Sequence, residues 1–397
     1  MQVLYFQNYY RKYTPYVKPN PADGYTNGIS FPFNGAVGYR LSYTKGNDLN
    51  LKPSSTSDFE IGTDLKLVDN RISISGSFYT RKTKDAILSV PIPSSTGYNS
   101  AILNAGQLST TGVDFTLGII PIRTRDFTWD VKINFTKWTT IVDKLADGVE
   151  NQFLGGFSNP GIFNFVGQQY GQIFGGAYSR ANNADGTKFD AALPYNPKGV
   201  IIIGADGYPN IDNTNRVIGN PNPDFLLSIN NNFSYKGFRI SALIDIKQGG
   251  QIWNGTLGAL NNFGASKITA DQRGTSLVFP GITESGVANT KSVILDQAYF
   301  QSKGTSFGSQ VESFVEDASF ARLRTVSIGY TLPNSLLKTI RMEDLTLTFT
   351  GRNLWLKTNN TGVDPETSLT GNGNAQGLEY FNMPGTKSWA FGLSVKF

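Results

Sequence analysis

Apolar and polar residues alternate along this chain with a period of two, in runs of roughly ten residues, as in a strand with one wet and one dry face. From Phe127 to Thr136 every odd position is apolar or aromatic, and every even position is polar or charged. Val113, Phe115, Leu117 and Ile119 stand against Asp114, Thr116 and Gly118 in the same way. The pattern predicts nine strands. They are Phe59 to Leu67, Arg71 to Tyr79, Val113 to Ile119, Phe127 to Thr136, Phe225 to Ser234, Phe238 to Lys247, Phe320 to Leu332, Leu345 to Trp355, and Ser388 to Phe397. Helical spacing is almost absent, and Asn334 to Ile340 is the best short helix. Parity fails at Arg322-Leu323-Arg324, where an extra residue predicts a bulge.

A half-apolar strand suits a soluble sandwich or barrel with its dry face in a core. It suits equally a membrane barrel with that face in lipid and the polar face in a lumen. The connections favour the barrel. Val68-Asp69-Asn70, Pro121 to Asp126 and Lys236-Gly237 are tight, and Pro333 to Asp344 is moderate. Between them, residues near 81–111, 138–223, 248–319 and 356–387 read as long excursions. Short turns at one end and long loops at the other characterise outer-membrane barrels. Loops so long are uncommon in compact domains unless they bind something or are disordered. The last strand adds weight: Trp389, Phe391, Leu393, Val395 and Phe397 share one face, and Ala390, Gly392, Ser394 and Lys396 the other. Tyr79, Tyr235, Tyr330, Trp355 and Trp389 fall near strand ends, where interfacial girdles sit, although aromatics favour strands in general.

Composition narrows the chemistry. The 397 residues carry a net charge of +5, with 16% charged and 13% aromatic residues, and neither Cys nor His. That excludes disulfides, thiolate zinc sites, cysteine nucleophiles and every imidazole-based mechanism. The 35 basic and 30 acidic residues are scattered without a basic block, so no nucleic-acid partner is expected. No run of about 18 apolar residues predicts a spanning helix. Met1 to Gln7 lacks the charged and apolar regions of a signal peptide.

Several segments resemble the C-terminal barrel of SusC/RagA-type TonB-dependent outer-membrane transporters. Leu51-Lys52-Pro53 followed by Phe59-Glu60-Ile61-Gly62 matches a family stretch, with Ser54 where a Glu is usual. Tyr79 to Asp85, Ser95-Thr96-Gly97-Tyr98, Asn104-Ala105-Gly106, Thr111-Gly112-Val113-Asp114 and Ile218 to Phe225 follow in family order. Asp317 to Arg324 with Tyr330-Thr331-Leu332-Pro333 is the most distinctive piece, and Gly351-Arg352-Asn353-Leu354 and Asp364-Pro365-Glu366 complete the series. The order and spacing run from about residue 51 to the end.

The resemblance implies an all-β fold: a partial transmembrane antiparallel up-and-down barrel, about nine strands of a plugged barrel of about 22. Residues 1–57 are expected to be an extracellular loop region, and 58–397 the C-terminal portion of the barrel. The family's plug and TonB-box have no counterpart here. Nine strands form an odd count that cannot close a single-chain bacterial barrel, so the chain is expected to be completed by an N-terminal barrel and plug portion, from the same polypeptide or another. The implied partners are that portion, a SusD-like surface lipoprotein serving as lid, TonB through the plug, and outer-membrane lipid of a Gram-negative bacterium.

Candidate chemistry is sparse. Asp58/Glu60 and Asp364/Glu366 are carboxylate pairs, but the first belongs to a strand and the second to a loop, and neither suggests a glycosidase cleft. Asp206, Asp212 and Asn213 lack calcium-loop spacing. No catalytic residue, metal site or cofactor is expected. The expected lumen-facing residues are Asp64, Lys66, Asp114, Asp130, Lys132, Arg239, Asp245 and Lys247, pairing mainly with each other and with a plug. Tyr98, Trp138, Tyr170, Tyr178, Trp253, Tyr299 and Tyr380 are the candidate substrate contacts in the loops, each with packing inside its own loop as the alternative. Trp389, Phe391, Leu393, Val395 and Phe397 resemble the terminal assembly signal of outer-membrane barrels. The leading expectation is import of oligosaccharide or peptide. A scaffold barrel without transport, and more distantly a soluble β-rich binding protein, are the alternatives.

Overall fold

A computed structural model describes residues 44–45, 51–91, 100–183, 195–212, 214–303, 310–339 and 342–396. Nine long strands run through them: β1 Ser55–Leu67, β2 Ile72–Pro91, β3 Ser100–Arg123, β4 Phe127–Lys144, β5 Phe225–Tyr235, β6 Phe238–Gln248, β7 Phe320–Thr331, β8 Asp344–Thr358 and β9 Ser388–Lys396. All nine join one antiparallel sheet in which every strand lies beside its sequence neighbours. Each contains the core of one expected strand. Of residues 1–57, only Thr44–Lys45, a short parallel bridge to Ser100 and Ala101 of β3, and residues 51–57 are described. Phe397 lies outside the described residues.

The register shows why alternation was so regular. Leu65, Ile74, Leu117, Ile133, Ile229, Ile244, Leu323 and Trp355 stand opposite one another in a single apolar row across eight strands. One residue along, Asp64, Ser75, Thr116, Asn134, Ser228, Asp245 and Arg322 form a polar row on the other face. A slip of one residue in any strand would exchange the two faces, so side-chain chemistry pins the register. The break at Arg322-Leu323-Arg324 is a bulge: the pairing shifts between Leu243/Ile244 on β6 and between Leu323/Thr325 on β7. Below it Val326 and Ile328 occupy the apolar face, above it Leu323 does, so the extra residue restores parity.

Tight turns gather at one end. Val68, Asp69 and Asn70 take φ of 52°, 50° and 60°. Lys236 and Gly237, at 43° and 90°, have the two positive φ values of a type I′ hairpin. A short helix, Asn334–Thr339, fills the β7–β8 connection where helical spacing was read.

Two long connections are shorter than expected, and the one expected from about 138 starts only after β4 ends at Lys144. Residues 81–111 are largely strand, because β2 and β3 run for 20 and 24 residues, against about 9–11 needed to cross a bilayer. The pattern there was unreadable because Thr80, Arg81, Lys82, Thr83 and Lys84 have no apolar partner face to declare. Pairing there is carried by backbone hydrogen bonds with polar side-chain links, Arg81 to Asp58 at 2.8 Å and Thr56 to Thr83 at 3.1 Å.

The other three connections fold into one cap. Ile162 and Ile173 from the first, Trp253, Val311 and Phe314 from the second, and Ala375 and Leu378 from the third make a shared buried core. Short strands Asn151–Gly156, Gly161–Phe165, Gln172–Gly175 and Arg216–Gly219 form one small sheet of the cap. Gln251–Asn254 forms another between Val315–Asp317 and Leu378–Glu379. Helix Gly255–Asn262 starts where the Asn254 side chain accepts from Leu257 N at 2.9 Å, the usual N-cap arrangement.

Candidate functional site

The eight charged residues expected in a lumen all lie on the polar face of the sheet. Asp64 and Asp245 share one row. Lys66 and Lys132 share the next, through Ser73 and Gly118. Asp114 and Lys247 share a third, through Thr136 and Leu226. Asp130 stands opposite Asn232, and Arg239 opposite Ser234 and Gly329. Hydroxyls and amides fill the spaces: Thr116 donates to Asn134 at 3.1 Å, and Asn134 to Ser228 at 3.3 Å. The expected pairing within this set is not what the structure shows among the described residues. Strands about 4.8 Å apart hold same-row charges too widely separated to touch when small residues intervene.

Asp245 is engaged by a residue outside the expected set. Arg324 Nε lies 2.6 Å from Asp245, and its two terminal nitrogens grip Glu366 at 2.7 and 2.9 Å. Arg322, two residues back, is buried with 5% of its side chain exposed, 2.5 Å from Asp364 and 3.1 Å from Glu366. A guanidinium so buried requires paired carboxylates, and Asp364-Pro365-Glu366 is shaped to supply them. Asp364 Oδ1 accepts from Glu366 N at 3.0 Å, and its carbonyl accepts from Thr367 N and Oγ1 at 3.0 and 2.8 Å. This is an Asp-initiated turn with Pro at its second position, which points both carboxylates the same way. The clamp thus ties the last loop to the polar face of the wall.

Between the cap and that face lies a cavity of about 240 Å³ lined by Leu226, Lys247, Phe320, Pro365, Glu366 and Gln376 among others. It carries one cation, one carboxylate already held by two arginines, and several apolar walls. No nucleophile with an adjacent base lines it.

The loop aromatics are mostly packing. Trp253 is 1% exposed in the cap core, and Tyr380 packs against that core with its ring stacked on Trp253 at 6.3 Å. Tyr299 is buried in a second cluster with Leu295 and Phe300, beside Tyr208 and Phe279. Burial pushes the phenol of Tyr178 well above its ordinary value, and also raises Tyr299. Burial raises Tyr170 too, against hydrogen bonds from Asn164 and Asn374. Trp138 is not in a loop: it belongs to β4, on the polar face opposite Gly112. Tyr98 lies outside the described residues. Trp253, Tyr299 and Tyr380 pack inside the cap, and sequence cannot tell a buried loop ring from an exposed one.

The other carboxylate pair is divided: Asp58 takes Arg81 at 2.8 Å on β1 and β2, while Glu60 faces Tyr79 across the same ladder. Among the described residues no three carboxylate side chains gather as they would around a metal ion. In the cap, Glu312 joins two connections by accepting from Tyr178 N at 2.9 Å and pairing with Arg180.

Sequence reading missed Arg322, Arg324, Asp364 and Glu366 as one unit. The signal was present as two arginines at i and i+2 in a strand with no other charged residue, and two acids at i and i+2 in the last long loop.

No protein-family model matches the chain. TonB-dependent receptor P3 of Formosa agariphila is 31% identical over 365 residues, covering 88% of this chain and 34% of that protein. TonB-dependent receptor SusC of Bacteroides thetaiotaomicron is 24% identical over 381 residues, covering 92% of this chain and 34% of SusC. The solved RagAB peptide transporter superposes with a TM-score of 0.63 at 22% identity, over 92% of this chain and 38% of the matched one. At that identity the likeness speaks for fold. The chain spans about a third of the length of the curated relatives it matches. With a nine-strand meander dry on one face, a clamped cap on the other, and these relatives along nearly all of it, the chain is similar to a portion of the β-barrel of TonB-dependent receptors of the SusC/RagA type.

Proposed function

We propose that this chain forms part of the wall and the outer cap of an outer-membrane transporter. It would import oligosaccharide or peptide with energy delivered through TonB, beneath a SusD-like lipoprotein lid. The observation that carries this reading is the two-faced wall: one unbroken apolar row across eight strands, backed by a polar row and a cap clamped to it. Apolar rings and aliphatic chains exposed along a sheet, such as Ile61, Phe391 and Leu393, are expected to meet lipid, and the polar face a lumen shared with a plug. Edge strands β1 and β9 leave backbone groups for further strands to pair, since unpaired groups in hydrocarbon cost several kcal/mol each. Those strands would come from an N-terminal barrel and plug portion in the same polypeptide or in another. No chemical step on the cargo is proposed.

The matched RagAB structure is a peptide transporter, which favours peptide as the first cargo to test. The experiment is uptake of labelled peptide and oligosaccharide pools by cells with and without the gene, together with membrane fractionation. Import that needs both the gene and TonB supports the transporter. An outer-membrane protein whose loss leaves all uptake unchanged favours the scaffold reading. Release by carbonate without detergent removes the barrel.

A further inference from the structure

The apolar face ends in a definite order at the loop-bearing end. On β1 to β3 the last dry row is Ile61, Phe78 and Val113, with Lys137 of β4 opposite Val113. Two residues further come Phe59, Thr80, Thr111 and Thr139, then Ser57, Lys82 and Ser109, then Ser55 and Lys84. Lys82, Lys84 and Lys137 are exposed, all on the face that carries the apolar rows. Farther round the wall, Lys357 is exposed on the same face, two residues past Trp355. At about 3.3 Å per residue and 4.8 Å per strand, Lys82 stands roughly 13 Å beyond Phe78, with Lys137 two strands away. With flexible stems, the three ammonium groups can reach one large headgroup.

None of these lysines has an ion-pair partner among the described residues. Other lysines do: Lys396 pairs with Glu343 at 2.6 Å, Lys52 with Asp85 at 2.9 Å, and Lys144 with Asp147 at 2.9 Å. Of the acids close by, Asp85 is paired with Lys52, and Asp143 accepts from the Ser109 hydroxyl and keeps its negative charge. An unpaired charge directed outward just past a hydrocarbon belt sits at headgroup depth, where Lys stems snorkel and anionic lipid is attracted.

We propose that Lys82, Lys84 and Lys137 form a docking site on the outer surface of the wall for the phosphate groups of an anionic glycolipid of the surrounding leaflet. The proposal rests on the reading of the apolar face as lipid-facing and of the capped end as external. The lipid would seat its acyl chains on the Ile61–Phe78–Val113 row and its phosphates on the lysines.

The test uses the intact transporter purified in detergent from outer membranes. The wild type is compared with the Lys82→Gln, Lys84→Gln, Lys137→Gln triple variant and with Lys236→Gln at the opposite end. Retained glycolipid is counted by native mass spectrometry, and affinity is titrated with lipid A and with its dephosphorylated form. Each lysine is worth roughly a fivefold preference for an anionic headgroup, so the triple variant should bind lipid A on the order of a hundredfold more weakly. Lys236→Gln should bind as the wild type does. Equal retention by the triple variant, equal binding of the dephosphorylated lipid, or inorganic phosphate competing as strongly as lipid A would each overturn the proposal. A wild-type protein missing from the outer membrane would instead overturn the membrane reading, which keeps the two failures apart.

Discussion

Arg324 and Glu366, 42 residues apart in sequence, form a two-pronged ion pair with nitrogen–oxygen distances of 2.7 and 2.9 Å. One belongs to the wall and the other to the last loop of the cap. With Arg322 and Asp364 beside them, they decide where that loop rests over the polar face.

Removing Arg322 should free the loop more than removing Arg324. Arg322 is 5% exposed, whereas Arg324 and Glu366 are 30% and 35% exposed. Breaking a buried pair from one side costs about 3–5 kcal/mol, and a half-exposed one about 1 kcal/mol or less. Limited proteolysis within residues 367–377 is therefore expected to accelerate strongly in Arg322→Ala and weakly in Arg324→Ala. Equal cleavage in both variants would place the anchor elsewhere.

The cap should depend on Trp253. Truncating a buried aromatic costs about 3–5 kcal/mol, and Trp253→Ala removes the ring that joins all three connections. Gly255→Val attacks the same site from the other side, because an added Cβ would lie 2.2 Å from the Trp253 ring and 2.9 Å from the Glu379 carbonyl. Hydrogen exchange should rise across residues 151–175, 251–262 and 368–380 in both variants while the wall strands stay protected.

The two faces of the wall can be told apart at adjacent residues. Ile229 lies in the apolar row and Ser228 in the polar one. Lysine at a lipid-facing midplane position costs about 2–4 kcal/mol, and little in a lumen. Ile229→Lys should lower the amount of folded protein in the membrane, and Ser228→Lys should leave it near the wild-type level. Heat-modifiable migration on gels reads both.

Acid should loosen the second connection at Asp317. Burial acts to raise this carboxyl, but hydrogen bonds from the Ser319 hydroxyl and amide and from Asn359, with Lys247 nearby, leave it below the usual carboxylate value. A depressed folded value means stability that is present above the ordinary carboxylate pKa and lost as pH falls through the lower folded one. Protection of the Ser319 amide, taken relative to its intrinsic exchange rate at each pH, should therefore fall as pH drops below about 4. Asp317→Asn should already be fast at neutral pH and show no such step.

Much of the wall was legible in the chain itself. In Phe127 to Thr136 the side-chain period equals the strand period, and each face has one chemistry, so local sequence and final register carry the same information. The tight turn at Lys236-Gly237 and the bulge at Arg322-Leu323-Arg324 were readable for the same reason. The stalk of β2 and β3 was not, since Thr80 to Lys84 pair through backbone and polar side chains and display no dry face.

The cap and the clamp belonged to tertiary structure. Trp253, Tyr299 and Tyr380 look alike in sequence whether they stack on a ligand or on each other, and only the convergence of three connections made them core. Arg322 and Asp364 were visible as charges, yet their partnership depends on a loop returning across 42 residues. Sequence by itself determined which residues face which way, because that is set by a repeat of two. What each polar face meets is a long-range matter, and it was decided only where the chain came back to close over it.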